Sequence, residues 1–73
     1  MFKGKVGDLV HIPQAVFLWS EGFKYNFRTE KPLIGLFVGE VTPPFGSKEK
    51  NQWVRVFARG GQWAVYSEHI YVS

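Results

Sequence analysis

Two adjacent glycines, Gly60 and Gly61, separate two segments in which apolar and polar residues alternate. In the first segment, residues 52–58, Val54 and Val56 fall on one face of a strand, because side chains of a strand alternate between its two faces. A tight two-residue turn of type I′ needs positive φ at both central residues, which glycine adopts freely. We therefore predict a β-hairpin with Gly60–Gly61 as its turn and residues 62–66 as the returning strand.

Three further segments carry strand signals. Residues 8–12 alternate and end at Pro13, which cannot donate to a ladder. Residues 33–41 form a nearly continuous apolar run whose glycines, at 35 and 39, indicate kinks, bulges or close backbone approach in a long bent strand. After one tight turn at 67–69, residues 70–72 predict a short last strand.

The segment between Pro13 and Leu33 is too long for a structureless loop in a compact domain. Apolar and polar residues alternate from 23 to 28, which predicts one arm of a second hairpin. Residues 16–19 would form the opposite arm and residues 20–22 the tip. The polar, proline-containing stretch 42–51 is predicted to be a loop.

No segment has the i, i+3, i+4, i+7 spacing of an amphipathic helix, so the predicted fold class is all-β. The 73 residues suffice for a single domain spanning 1–73. The chain has no cysteine, which excludes disulfides and thiolate chemistry, yet 45% of its residues are hydrophobic and 18% aromatic. A packed core must therefore hold the domain together.

The order of these elements resembles the Src-homology-3-like barrel, a small fold of five short strands. The resemblance covers nearly the whole chain and is carried by residues 6–10, 35–41, 53–56, 60–63 and 70–72. It implies a small five-stranded barrel with an elaborated first hairpin loop. Small free-standing proteins that look like this are frequent in tailed bacteriophages, some of them as accessory parts of the virion, and similar barrels bind nucleic acid in ribosomal and transcription proteins.

The chain departs from the peptide-binding members of that family. Their first loop is acidic, whereas here it carries Lys24, Arg28 and Lys31 against two glutamates. Their Trp-Trp pair is reduced to Trp53. Recognition of proline-rich peptides is therefore disfavoured.

Alternation predicts which side chains fill the interior of a small barrel. The expected core residues are Val10, Ile12, Leu36, Val38, Val54, Val56, Ala64, Ile70 and Val72. Eight aromatic residues are then left with little interior to share: Phe17, Trp19, Phe23, Tyr25, Phe27, Phe45, Trp53 and Trp63. Either the first hairpin packs its rings onto the barrel, or the rings are exposed and form a binding surface.

We favour the binding surface and expect a non-enzymatic protein–protein assembly module, a minor structural or accessory phage-type protein. Its partner would be a larger protein or a neighbouring copy. Aromatic residues and arginine are the usual anchors of such interfaces. The candidate partner-binding residues are Phe17, Trp19, Phe23, Tyr25, Phe27, Arg28 and Phe45.

The alternative is a nucleic-acid-binding barrel, in which aromatic rings stack on bases and cations contact phosphates. The chain has a formal net charge of +3 and a pI of about 9.5. The candidate nucleic-acid-binding residues are Lys24, Arg28, Arg55 and Arg59. Against this alternative, the positive charge is spread evenly along the chain rather than clustered.

Nothing in the sequence indicates catalysis. His11 and His69, the only histidines, lack a companion that would make either a base or a ligand, and the acidic residues are scattered one per element. We expect no catalytic residue, metal site, cofactor or small-molecule substrate. No apolar run approaches the roughly 20 residues needed to cross a bilayer. We expect no membrane association, but a soluble protein made in the cytoplasm and, if it is a phage part, incorporated in a virion.

Overall fold

The computed structural model describes residues 4–42 and 53–72. Seven strands and two short 3₁₀ segments account for most of them. The strands are β1 (Leu9–Ile12), β2 (Phe17–Trp19), β3 (Asn26–Arg28), β4 (Leu33–Val41), β5 (Trp53–Ala58), β6 (Gly61–Tyr66) and β7 (Tyr71–Val72). The 3₁₀ segments are Glu21–Phe23, at the tip of the first hairpin, and Ser67–His69, which confirms the tight turn expected there.

The strands form one antiparallel sheet in the order β3-β2-β6-β5-β4-β1-β7. The all-β class is confirmed, and the seven strands correspond to the seven segments predicted from alternation, from turn residues and, for 33–41, from a nearly continuous apolar run. The expected closure into a barrel is not observed, because β3 and β7 are edges and the sheet is open.

One face of the sheet carries the hydrophobic core. Its fully buried side chains come from β1, β2, β5 and β6: Val10, Ile12, Leu18, Val54, Val56 and Val65. Phe27, Leu33 and Trp63 pack against this core from its margin. Directly paired residues of neighbouring strands share a face, so the sheet register also defines the opposite face, here called the outer face.

Three of the nine expected core residues are not buried. Leu36 is 42% and Val72 43% exposed, and Val38 is half-buried. Leu36 pairs with Phe57, which is also exposed, so this part of β4 has the opposite alternation and buries Phe37 instead. Ala64 is buried, but on the outer face, opposite Arg55 and Trp19.

The glycines of β4 explain this alternation. A Cβ on Gly35 would lie 2.9 Å from the carbonyl oxygen of Phe57 and 3.3 Å from Cδ1 of Ile12. The core-facing position at 35 thus has no room for a side chain, which leaves Phe37 as the next inward residue. Between Phe37 and Gly39 the register with β5 shifts, the irregularity that glycine in a strand indicates.

The hairpin of β5 and β6 is confirmed, but its turn lies one residue earlier than predicted. Ala58 pairs with Gly61, and the central residues are Arg59 (φ 52°) and Gly60 (φ 76°). This register pairs Val56 with Trp63, whose indole Nε1 donates a 2.9 Å hydrogen bond to the carbonyl oxygen of Ala58. The observed register, and not the preference of positive φ for glycine, therefore decides where the turn lies.

The first hairpin is also confirmed, although its second arm is shorter than predicted. The strand begins at Asn26, and Phe23 belongs to the tip, with φ 59°. The backbone N–H of Tyr25 donates to Oγ of Ser20 (3.1 Å), and the backbone N–H of Ser20 donates to the carbonyl oxygen of Tyr25 (2.8 Å). These two hydrogen bonds join the two ends of the hairpin tip. The predicted loop 42–51 lies, apart from Thr42, outside the described residues.

Candidate functional site

Several aromatic side chains of the first hairpin pack on other rings of the chain. Phe23 stands edge-on to Trp53 with ring centroids 5.1 Å apart, and its ring lies 6.0 Å from that of Trp19. Trp53 in turn meets Tyr66 edge-on at 5.5 Å, which carries the row of rings to β6. Trp19, Phe23 and Trp53 are consequently half-buried. For these three residues the chain itself supplies much of the cover.

Phe27 is half-buried on the other side of the hairpin. Its ring stands edge-on to Trp63, with centroids 4.7 Å apart, and the guanidinium of Arg59 lies over it at 4.8 Å. This arrangement joins β3 to the turn between β5 and β6, although β3 is adjacent to neither β5 nor β6 in the sheet.

The remaining candidate partner-binding residues differ in exposure. Phe17 is 51% and Tyr25 66% exposed, and Arg28 is exposed at the edge strand β3. Phe45 lies outside the described residues. The structure thus leaves Phe17, Tyr25 and Arg28 accessible and brings Trp19 and Phe23 together as packed rings.

A larger exposed apolar surface lies on the outer face at the other end of the sheet. Leu9, Leu36 and Phe57 are direct partners across β1, β4 and β5. A second row beside them runs from Ile34 through His11 to Tyr71. We call Leu9, Ile34, Leu36, Phe57 and Tyr71 the outer apolar patch.

The members of the outer apolar patch are between 42% and 59% exposed. Five large side chains about half exposed present on the order of 500 Å² of apolar surface, near the upper end of the largest patch on a typical monomer. None of the five is charged. Patches of this size on soluble domains commonly mark binding surfaces.

Sequence reasoning missed this patch because it placed Leu36 in the core and the aromatic surplus in the first hairpin. A signal was present in β1, where Leu9 and His11 share the face opposite Val10 and Ile12. A strand with apolar residues on both faces indicates cover on both sides or an exposed apolar face. Only the register with β4 and β5 shows which of the two applies.

The four cations of the nucleic-acid alternative do not form one surface. Arg55 lies half-buried on the outer face, opposite Ala64, and Lys24 lies beside the hairpin tip. Arg28 and Arg59 come together at a cleft of about 650 Å³. The cleft is lined by Phe27, Arg28, Thr29, Glu30, Lys31, Leu33, Arg59 and Trp63.

Both histidines are exposed. The ring of His11 lies 6.4 Å from Tyr71, and that of His69 packs edge-on to Tyr66 at 5.2 Å. Among residues 4–42 and 53–72, no three His, Cys, Asp or Glu side chains are grouped as metal ligands would be. In the same ranges, no helix is long and apolar enough to span a membrane.

Comparison with known proteins adds no relative: no family model, curated protein or solved structure matches the chain.

Proposed function

We propose that the chain is a non-enzymatic protein–protein assembly module, a minor structural or accessory protein of a phage-type particle built on a Src-homology-3-like strand order. The single observation that carries the assembly role is the outer apolar patch, which nothing in the chain's described part covers. The phage setting rests on the resemblance in the order of elements. Exposed Phe17 and Tyr25 would add contacts from the first hairpin.

The patch has the character of the centre of an interface. A standard protein–protein interface buries about 800 Å² on each partner, with an apolar core and a polar rim. The patch supplies the core of such a surface, and it includes two aromatic residues, Phe57 and Tyr71, of the kind that carry much of the binding free energy. Arg55 lies two positions from Phe57 on the same face and contributes a cation to the rim.

Charge points to a different protein rather than a second copy as the partner. The chain carries a net charge of +3, so two copies repel each other, whereas a larger protein with an acidic rim around an apolar surface would attract it. The occupant we propose is such a protein. Assembly of copies with one another is an outcome that the experiment below separates from it.

The test is the double substitution Leu36→Lys with Phe57→Lys. Both side chains face solvent, so the fold should tolerate two lysines at a cost of about 0.2–1 kcal/mol, because the two like charges would lie directly opposite each other on β4 and β5. Two unpaired charges buried in an interface would weaken docking at least 100-fold. The readout is the amount of the chain that co-sediments with particles isolated from its natural source.

The matched control is Val6→Lys, which also replaces an exposed aliphatic side chain, here 74% exposed in the turn before β1, by a cation. We expect particles to retain the wild type and the control and to lose the double variant. Equal retention of all three would refute the proposal. Sedimentation velocity of the purified wild type as a dimer, with the double variant monomeric, would instead identify a second copy as the occupant and overturn the choice of a different protein.

A further inference from the structure

The cleft between the first hairpin and the β5–β6 turn is a second candidate site, separate from the outer apolar patch. Its walls combine two aromatic rings, Phe27 and Trp63, with three cations, Arg28, Lys31 and Arg59. Glu30 is the only carboxylate among its lining residues. Three cations against one carboxylate give the cleft a positive potential.

These cations are not engaged by carboxylates elsewhere in the described part of the chain. Within residues 4–42 and 53–72, Arg28, Lys31 and Arg59 form no ion pair, and the only contact that the structure shows for a charged group among them is that of Arg59 with the ring of Phe27. Their charges are thus available to an anion that enters the cleft.

Arg59 has a left-handed backbone conformation, in which arginine is less favourable than several other residue types. Its φ of 52° is left-handed, and the first central position of a type I′ turn prefers Asn, Asp or Gly. An arginine there costs on the order of 1 kcal/mol in backbone strain. The register of the β5–β6 hairpin puts Arg59 in this turn, and from there its guanidinium lies 4.8 Å from the Phe27 ring centre at the cleft wall.

We propose that the cleft binds a nucleotide unit, with its phosphate on the three cations and its base against the Arg59–Phe27 pair and Trp63. Bases stack on aromatic rings and on the planes of arginine guanidinium groups, and phosphates accept charge-assisted hydrogen bonds from arginine and lysine. A cleft of about 650 Å³ is also in the usual size range of small-ligand sites. An oligo-glutamate peptide would pair with the cations but has no aromatic ring that could stack on Phe27 or Trp63.

This site involves a more restricted set of cations than a general basic surface would. The proposal does not depend on the proposed assembly role. Lys24 and Arg55 do not line the cleft, whereas Lys31 does. The two cations outside it therefore serve as controls for those inside.

The experiment measures fluorescence anisotropy of a labelled single-stranded oligo(dT) of about eight nucleotides with the purified full chain. For the one phosphate held by the three cations, the affinity should fall about 2.6-fold between 50 and 200 mM salt, because the slope for single strands is roughly −0.7 per neutralised phosphate. Unlabelled thymidine monophosphate as competitor separates the two sources of a nucleotide unit. Competition by the monophosphate at equal nucleotide concentration identifies a free nucleotide as the ligand, and competition by the oligonucleotide alone identifies a single strand.

The decisive variants are Lys31→Gln together with Arg28→Gln, and Arg59→Asn. The first pair should weaken binding at 50 mM salt about tenfold or more and flatten the salt dependence, while Lys24→Gln leaves both unchanged. Arg59→Asn relieves the backbone strain, so the variant should fold as well as the wild type yet bind more weakly. No binding at 50 mM salt, an equal loss with Lys24→Gln, or equally tight binding of an oligo-glutamate peptide would each overturn the proposal.

Discussion

The hydroxyl of Thr29 donates a 2.7 Å hydrogen bond to the carbonyl oxygen of Pro13 and accepts one of 2.9 Å from the backbone N–H of Val16. The backbone of Thr29 also bonds to Ala15 and Val16, so this one residue fixes the end of β3 to the entry of the first hairpin. The cleft residues that follow it in sequence depend on this connection for their position.

Thr29→Val keeps the shape of the side chain but removes the hydroxyl that pairs with the buried backbone N–H of Val16 and the part-buried carbonyl oxygen of Pro13. We expect the free energy of unfolding to fall by about 1–3 kcal/mol, the cost of such unsatisfied groups. Urea denaturation measures it, and Thr42→Val, at an exposed position, is the control with little expected change. A stability equal to that of wild type would show that these hydrogen bonds do not hold the hairpin.

Gly35→Ala should destabilise the fold, whereas Gly39→Ala should not. The added Cβ at 35 would meet the backbone oxygen of Phe57 at 2.9 Å, and moving that backbone disturbs the β4–β5 ladder. The loss should be at least about 2 kcal/mol, as for overpacking in a core. At Gly39 no atom lies within 4 Å of the added Cβ, so the lower entropy of the unfolded chain should leave stability unchanged or raise it slightly. Thermal unfolding of both variants decides, and equal melting temperatures would contradict the close approach at Gly35.

Ala15→Gly should raise the melting temperature. Ala15 has φ 68°, a conformation in which glycine has no Cβ penalty. A net gain of about 0.5 kcal/mol corresponds to a rise of roughly 2–4 °C for a domain of this size. Ala58→Gly, at a buried strand position, is the control of opposite sign and should lower it. A lower melting temperature for Ala15→Gly would be inconsistent with strain at this residue.

Phe17→Ser with Tyr25→Ser should reduce retention on particles without loss of stability, because both side chains are exposed. Trp19→Ala should behave differently and lower the free energy of unfolding by about 2 kcal/mol, since its half-buried ring packs against Phe23. Circular dichroism melting and co-sedimentation on the same samples separate the two effects. If the serine variant stays bound as well as wild type, the first hairpin takes no part in docking.

How far the sequence predicts this molecule depends on whether a signal is local or long-range. The presence of the two hairpins and of the strand segments depends on alternation and on turn residues within a few positions, and these predictions are confirmed, although most strand bounds differ from the predicted ones by one to three residues. The predicted position of the turn, Gly60–Gly61, is wrong by one residue, because the observed register pairs Val56 with Trp63, whose indole bonds to Ala58, and puts Arg59 and Gly60 at the centre of the turn. Local glycine preference cannot reveal that register.

The candidate site was harder to predict from the sequence, because it also depends on long-range contacts. Leu36 was wrongly placed in the core because the crowding at Gly35 involves Phe57, which lies 22 positions further along the chain. Aromatic composition predicted more rings than the core can hold, and of the described rings in that surplus only Phe17 and Tyr25 are exposed. The outer apolar patch, however, is formed mainly by residues outside the predicted hairpin site, since only the strand register places Leu9, Leu36 and Phe57 in one row.

Photo-cross-linking from position 36 within intact particles tests the central claim most directly. A photoreactive amino acid replaces Leu36 in one sample and Val6, in the turn before β1, in a control. We expect a cross-link from position 36 to a single larger protein whose contacting surface is apolar with an acidic rim, and none from position 6. No cross-link from position 36, or one joining only two copies of this chain, would contradict it.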